Sequence, residues 1–402
     1  MLLRGRAFPP AVYRDRRRTA LALVEQQMFR PLPLLLVGCD EATLRRERQD
    51  PWFDYYTGCQ EPDASLLIEP GSGDTLFLDP GDPARVVWDG PRLAPGAAAR
   101  QAFAMAACRP RGELLDAVRD AARRHGGAIA MCTRTREPGF QAAQHALWRQ
   151  RLAGVAEVAN AEPALVAQRM QKTPAEVAWH REAIRRTAAG LRAVLPRIPR
   201  TLQRESEIAA ELIAHYRRDD YGPLAFPPIV GAGVHAATLH YPFNDQPLGD
   251  ARCILIDSGA TAGGYCADVT RTLPRRGRFS DRRFRRLYEL CLEANALGRA
   301  HARPGISRER LNEIAWAPII AAGFTRHHGL WHHIGLDVHD PADYAQPLAP
   351  GMIISNEPGI YLPDEGIGIR IEDDLLITAD GCEELTAAIP KSIAGIEAWM
   401  AG

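Results

Sequence analysis

Along the first 170 residues the apolar positions come in short runs separated by turn residues. Leu32 to Val37 is an unbroken apolar run, which predicts a buried strand. Ser65-Leu66-Leu67-Ile68 and Thr75-Leu76-Phe77-Leu78 flank the turn-rich Glu69-Pro70-Gly71-Ser72-Gly73-Asp74, which predicts a hairpin. Leu114 to Arg124 has helical patterning, Gly126-Gly127 stops it, and Ala128 to Cys132 predicts a further strand. The Ala-rich stretch from Gln141 to about Gln168 predicts helix. This half reads as a small α/β domain, with no internal repeat or low-complexity tract.

A second unit opens at Thr173. Thr173-Pro174-Ala175-Glu176 is a capping box with proline at the first helical position. Val177, Ile184, Ala188, Leu191 and Leu195 then form one helical stripe, ended by Pro196 and Pro199. Ile208, Leu212 and Tyr216 mark a second helix over about Glu205–Tyr216. Short strands with glycine turns follow. The boundary falls near residues 165–172, giving domains 1–168 and 169–402 and an overall α/β (α+β) class.

Composition excludes more than it selects. The 402 residues carry 49 basic and 49 acidic side chains, a formal net charge of zero. A nucleic-acid binder would carry a basic surplus, and 46% apolar content is ordinary for a globular chain. Only Lys172 and Lys391 are lysines, so 47 of the 49 basic residues are arginine; a GC-rich genome accounts for most of that bias. The eight cysteines form no C-x-x-C pair, which fits reduced thiols in a cytoplasmic protein. The segment from Met1 to Arg6 lacks a following apolar region, so no signal peptide is expected. No apolar run reaches the roughly 18–20 residues that span a bilayer.

Four segments of the second half place polar residues inside apolar strands, which is costly unless they pair or bind something. Cys253-Ile254-Leu255-Ile256-Asp257-Ser258-Gly259 and Tyr265-Cys266-Ala267-Asp268-Val269-Thr270-Arg271-Thr272 predict a hairpin with one aspartate on each arm. Such a pair repels unless a cation lies between them; turn-capping aspartates are the alternative. Residues 327–339 hold five of the twelve histidines, a metal or acid–base signal. His328 and His332 lack the glutamate of the helical zinc motif, and the glycines around them disfavour helix. Met352 to Tyr361 carries Glu357. Gly366 to Ile377 alternates, with Ile367, Ile369 and Ile371 on one side and Arg370, Glu372 and Asp374 on the other; an edge strand with a solvated face is the plain alternative. Asp257, Asp268, His332, Glu357 and Glu372 together offer four carboxylates and one imidazole, a charge that two divalent cations balance. Oxygen-rich ligation with one histidine suits Mn²⁺, or Co²⁺ or Zn²⁺ if supplied. Two such ions about 3.5–4 Å apart activate water and polarise a carbonyl.

These segments resemble the creatinase-fold ("pita-bread") metallopeptidases, in their aminopeptidase P and prolidase branch. The likeness rests on Ile256-Asp257-Ser258-Gly259, Tyr265 to Thr272, His328-Gly329-Leu330-Trp331-His332, Gly335-Leu336-Asp337-Val338-His339, Glu357-Pro358-Gly359-Ile360-Tyr361 and Gly366 to Asp374. Arg48 to Pro70 resembles that branch's N-terminal domain. The resemblance implies a creatinase N-terminal-like domain followed by a pita-bread catalytic domain. It implies that Asp257 binds one metal, that Asp268 and Glu372 bridge two, and that His332 and Glu357 complete the other. Glu357 would also handle the proton passed to the leaving proline nitrogen. His339 would contact the scissile carbonyl, and His240 would stand on the substrate side. His328 and Arg370 would line the proline pocket, and Tyr361 would hydrogen-bond the ligand aspartate and the arginine. Family spacing selects His332 over His327 and His333; the latter points to the opposite side of the strand.

The implied activity is hydrolysis of the Xaa-Pro bond at the N-terminus of short peptides. Dipeptide (prolidase) and longer (aminopeptidase P) substrates both stay open, because Gly305 to His328 and the Tyr361–Gly366 connection are short. Methionine aminopeptidase and creatinase are alternatives on the same fold. The large N-terminal domain disfavours the first and the complete ligand set the second. A partner-binding pseudo-peptidase would have lost ligands. A homo-oligomer, dimer or tetramer, is expected from the resemblance, with neither nucleic acid nor membrane as partner.

Overall fold

The computed structural model describes residues 7–46, 48–132, 140–218 and 222–402. The chain divides into two compact units, Met1–Gln168 and Arg169–Gly402.

In the first unit six strands form one sheet: β1 (Leu34–Val37), β2 (Ser65–Glu69), β3 (Gly73–Leu78), β4 (Ala107–Pro110), β5 (Ala128–Met131) and β6 (Glu157–Asn160), in the order β4-β3-β2-β1-β5-β6. β1 runs antiparallel to β2 and parallel to β5. The hairpin predicted around Pro70–Asp74 joins β2 to β3, and the predicted helix spans Leu114–Arg124. Leu35, Val37, Phe77, Val118, Ile129 and Trp148 meet in the core between sheet and helices. In the segment Arg48 to Pro70, Asp50 caps the helix Pro51–Thr57 by accepting from Trp52 and Phe53 N–H, and Gly58 ends it at φ 60°.

One expectation for this unit fails. The stretch from Gln141 to Gln168 is not one helix. The helix Phe140–Leu152 stops before Gly154, which sits at φ 77°, and Glu157–Asn160 becomes β6, paired with β5. Edge pairing outweighs the helical propensity of the alanines.

In the second unit the capping box at Thr173 opens the helix Pro174–Val194, and a second helix spans Glu205–Tyr216. β7 (Ile229–Ala232), β8 (Cys253–Ser258) and β11 (Val269–Pro274) form an antiparallel sheet in the order β11-β8-β7. β9 (Thr261–Ala262) and β10 (Tyr265–Cys266) make the tip of the β8–β11 hairpin. β12 (Ile353–Asn356) pairs with β15 (Asp373–Ile377), which pairs with β16 (Cys382–Glu384); β13 (Gly359–Leu362) pairs with β14 (Ile367–Arg370). The helices Arg282–His301, Arg308–Ala321 and Ile393–Ala401 complete the unit.

The run Gly366–Ile377 is therefore two strands in two sheets, broken at Ile371-Glu372. It has no solvated face, since Ile367 to Leu375 are buried on both sides. The alternation still holds for its charged residues: Arg370 and Glu372 both reach the hydroxyl of Thr270, and Asp374 receives the backbone N–H of Asp268. Among the described residues no helix is long and apolar enough to cross a membrane, and the eight cysteines are free thiols.

His180, on the helix Pro174–Val194, is fully buried against Tyr265, ring centroids 5.1 Å apart, and its Nδ1 donates to Cys266 O at 3.0 Å. Burial, with the Lys172 ammonium, depresses its pKa to about 3. The unfolded chain, with an ordinary histidine, takes up a proton from about pH 6.5 downward that the folded chain refuses until about pH 3, so stability drains away across that window as pH falls. One such proton is worth about 1.4 kcal/mol per pH unit. His180→Asn, less stable than wild type at pH 8, should recover about 2 kcal/mol of that difference by pH 5 in urea unfolding. A pH-independent difference refutes the assignment.

Candidate metal centre

Two hairpins and one irregular segment bring the charged residues together. On the first hairpin Asp257 lies in β8 opposite Thr270 in β11, and Asp268 sits just before β11. On the second, Glu357 follows β12, and Glu372 lies between β14 and β15. The histidine segment runs beside β12 without being a helix. Glu357 N–H donates to Leu330 O, Ser355 N–H to His332 O, and His332 N–H to Ser355 Oγ, all within 2.9–3.0 Å.

At the centre, ligand atoms of Asp268, His332 and Glu372 lie within 4.8 Å of one another. His332 Nε2 is 3.3 Å from Asp268 Oδ2 and 3.5 Å from Glu357 Oε1. Its Nδ1 donates to His333 O at 3.1 Å, and burial, with His339 nearby, lowers its pKa to about 3. The ring is thus neutral, and Nε2 turns a lone pair toward two carboxylates. That contact is repulsive unless a cation lies between them.

The carboxylates carry the same message. Asp257 Oδ1 and Asp268 Oδ1 are buried with no hydrogen-bond partner among the described residues. Burial, then the charges of Glu372 and Asp257, push the Asp268 carboxyl far above the usual carboxylate range. Burial, then Glu357 and Asp257, do the same to Glu372. Glu357 is raised to about 8, again mainly by burial, although Arg370 opposes the shift. Groups that cannot share one pocket as bare anions fit divalent cations that need oxygen donors.

Around this cluster the remaining polar residues form a chain. Arg370 Nη2 donates to Asp257 Oδ2 (2.6 Å), Nε to Thr270 Oγ1 (3.0 Å) and Nη1 to the Tyr361 hydroxyl (3.2 Å). The Thr270 hydroxyl donates in turn to Glu372 Oε2 at 2.6 Å. His328 Nδ1 donates to Gly329 O (2.7 Å), so its Nε2 accepts from Tyr361 at 2.9 Å. Burial, with Arg370, lowers the His328 pKa to about 4. Tyr361 therefore bonds Arg370 and His328 and reaches Asp257 only through the arginine. His339 stands edge-on to His332 with ring centroids 4.2 Å apart, and His240 lies 6.5 Å from His339; both are exposed. His327 is exposed beside Tyr361, whereas His333 is buried against Trp331 and Tyr344 on the side away from His332.

Two site residues were not foreseen from the sequence, Thr270 and Ser355; Asp374 shares the charged face with Glu372 but was given no role. For Thr270 a signal existed, since the hairpin register places it opposite Asp257.

A hairpin of aspartates, a neutral histidine and two glutamates around one pocket define a metallohydrolase site, and the comparisons agree. The chain belongs to metallopeptidase family M24, whose model matches residues 178–379. Residues 45–129 match the model of the aminopeptidase P N-terminal domain. The chain is 32% identical over 390 residues to a Xaa-Pro aminopeptidase of Haemophilus influenzae, covering 88% of each protein. It is 31% identical over 380 residues to the mitochondrial intermediate cleaving peptidase 55 of Arabidopsis thaliana, covering 87% of this chain and 74% of that protein. Its structure superposes on Escherichia coli aminopeptidase P with the inhibitor Pro-Leu at a TM-score of 0.85, 27% identity and 98% coverage of both chains.

Thr270→Val keeps the shape of the side chain and removes both hydroxyl bonds. It should weaken divalent-metal retention about tenfold, as loss of a residue orienting a ligand commonly does. Metal content after gel filtration checks this, and unchanged content refutes it.

Proposed function

We propose that the protein is a dinuclear-metal exopeptidase that releases the N-terminal residue from short Xaa-Pro peptides. The observation that carries this is the unprotonated His332 Nε2 facing Asp268 and Glu357 inside a pocket of four carboxylates. Asp257 would hold one metal, His332 and Glu357 the other, and Asp268 and Glu372 both. Two divalent cations, Mn²⁺ or alternatively Co²⁺ or Zn²⁺, would supply the charge that acidifies water and polarises the scissile carbonyl.

The chain's own residues do the rest. Glu357 accepts a proton from the attacking water and delivers it to the proline nitrogen as the bond breaks. His339 donates to the scissile carbonyl oxygen as charge develops there, and His240 steadies the substrate beside it. His328, with its Nε2 held by Tyr361, packs against the proline ring. Arg370 is buried, with all three nitrogens engaged, so it serves this pocket by fixing Asp257 and Tyr361.

Proline selection follows from the amide. An Xaa-Pro bond is tertiary and has no N–H, so a site that reads shape and protonates the nitrogen recognises what other peptidases lose. The names of the relatives support the aminopeptidase over the dipeptidase reading. A cytoplasmic homo-oligomer, dimer or tetramer, completes the proposal.

Chelation should abolish turnover and Mn²⁺ should restore it; indifference to chelator refutes the mechanism. Asp268→Ala and Glu372→Ala should each lose metal and turnover, and full turnover in either sinks the two-metal assignment. Rates on Ala-Pro, Ala-Pro-Ala and Ala-Ala-Ala separate the substrate classes. Cleavage of Ala-Pro-Ala well above the other two is expected. Cleavage of Ala-Pro alone would make the protein a dipeptidase, and equal rates on both tripeptides would remove the proline requirement.

A further inference from the structure

The chain has 47 arginines and two lysines, and both lysines end in the same kind of place. Lys172 Nζ lies 3.2 Å from Asp340 Oδ2 and 3.4 Å from Met170 O. Lys391 Nζ lies 2.6 Å from Asp373 Oδ2 and 2.8 Å from Glu384 Oε1. Both aspartates are buried, and each is also gripped by an arginine, Asp340 by Arg169 and Asp373 by Arg271. Asp340 directly follows His339, and Asp373 directly follows Glu372.

Each aspartate organises the backbone of its neighbour. Asp340 N–H donates to His333 O at 2.9 Å, and its Oδ1 accepts from Asp337 N–H at 3.2 Å. Its carboxylate also fills the space that a Cβ at Gly335 would occupy. Residues 333–340 thus turn around one carboxylate, with His339 at the end of the turn. Asp373 accepts from Arg271 (2.7 Å), Thr386 (2.8 Å), Asn295 (3.1 Å) and Lys391. Arg271 also donates to Glu372 O and Thr270 O, so the peptide of Glu372 is fixed from behind.

The choice of lysine has a physical cause. A guanidinium is planar and carries five donors, whereas an ammonium is compact and carries three. The Lys172 side chain is 1% exposed and has one carboxylate oxygen and one carbonyl as acceptors. An arginine there would bury donors with nothing to accept them. In a chain that uses arginine almost everywhere else, lysine at these two positions is the exception.

We propose that Lys172 and Lys391 are positioning residues: through Asp340 and Asp373 they place His339 and Glu372, and arginine cannot replace either. The roles of His339 and Glu372 rest on the proposed function; the contacts do not.

The test compares Lys172→Arg and Lys391→Arg with the full wild-type chain. The readouts are Mn²⁺ half-saturation and metal content after gel filtration, kcat and KM on Ala-Pro-Ala, and Tm. Lys391→Arg should raise the Mn²⁺ half-saturation about tenfold or more, the usual effect of misplacing a ligand. Lys172→Arg should keep its metal and lose about tenfold or more in kcat with little change in KM, because His339 would act on the transition state. Wild-type metal affinity in the first or wild-type kcat in the second overturns the proposal. A lowered Tm with both constants unchanged also overturns it, since that is what a merely structural pair would show.

If either arginine variant fails to fold, neutral variants decide. Lys172→Met should show the same kcat loss, and unchanged kcat counts against the proposal. Lys391→Ala should regain metal when ethylammonium is added, because Lys391 is 22% exposed and reachable; no recovery counts against it. A wild-type chain that cleaves no Xaa-Pro peptide, beside a Lys391→Arg variant that still loses metal, would end the functional reading and leave this one standing.

Discussion

Four carboxylates are forced into one pocket, and the rest of the second unit depends on that repulsion. Asp257, Asp268 and Glu372 are buried and Glu357 is half-buried, all on two hairpins whose packed strands hold them in place. Five of their eight oxygens fall into two contrasting sets. One set has protein donors: Asp257 Oδ2 has Arg370, Glu372 Oε2 has Thr270, and Glu357 Oε1 has Ser355. The other set, Asp257 Oδ1 and Asp268 Oδ1, has none among the described residues. The donors fix where the carboxylates stand, and the bare oxygens show which way they face.

Holding like charges in place needs a stiff frame. The hydrogen-bonded chain from Asp257 through Arg370 and Tyr361 to His328 is one part of it. Glycine supplies another. A Cβ at Gly368 in β14 would collide with the carbonyl of Ala236, so glycine lets β14 and the turn Gly233–Ala237, just ahead of His240, lie against each other. Behind the histidine segment and the second hairpin, buried aspartates gripped by cations lock the backbone that carries the ligands. Such pairs contribute little net stability once desolvation is counted. What they supply here is placement, which a centre of repelling groups cannot supply for itself.

What the sequence revealed of this follows from what each signal depends on. The hairpin at Pro70–Asp74, the helix Leu114–Arg124 and the capping box at Thr173 were legible because they are local: turn residues, periodicity and a cap lie within a few positions. The pocket residues stood out because carboxylates and histidines inside apolar strands need a reason. β6 was hidden, because its strand character comes from pairing with β5 and not from Glu157-Val158-Ala159-Asn160 itself. The break at Ile371-Glu372 was hidden too, since an alternating pattern reads the same whether one sheet or two receive it. Asp340 and Asp373 were unreadable for a third reason. Arg169 and Lys172 lie far from Asp340 in sequence and Arg271 far from Asp373; Lys391 is nearer, but no local pattern pairs it with Asp373, and only the fold brings them together.

Charge counting argues for two cations rather than one. Asp374, buried behind Asp268 and accepting its N–H, adds a fifth carboxylate to the pocket, while Arg370 is the cation bonded directly to a member of the set. Five negative charges against one positive leave an excess that one divalent ion would only halve. With two, every carboxylate can be ionised without net charge in the low-dielectric interior. The neutral histidines fit the same balance. Burial keeps His332 and His328 unprotonated, so neither spends a proton on neutralising the pocket and His332 Nε2 stays open as a ligand. A chain with a net charge of zero thus holds a strong local imbalance at a place where bound metal would cancel it.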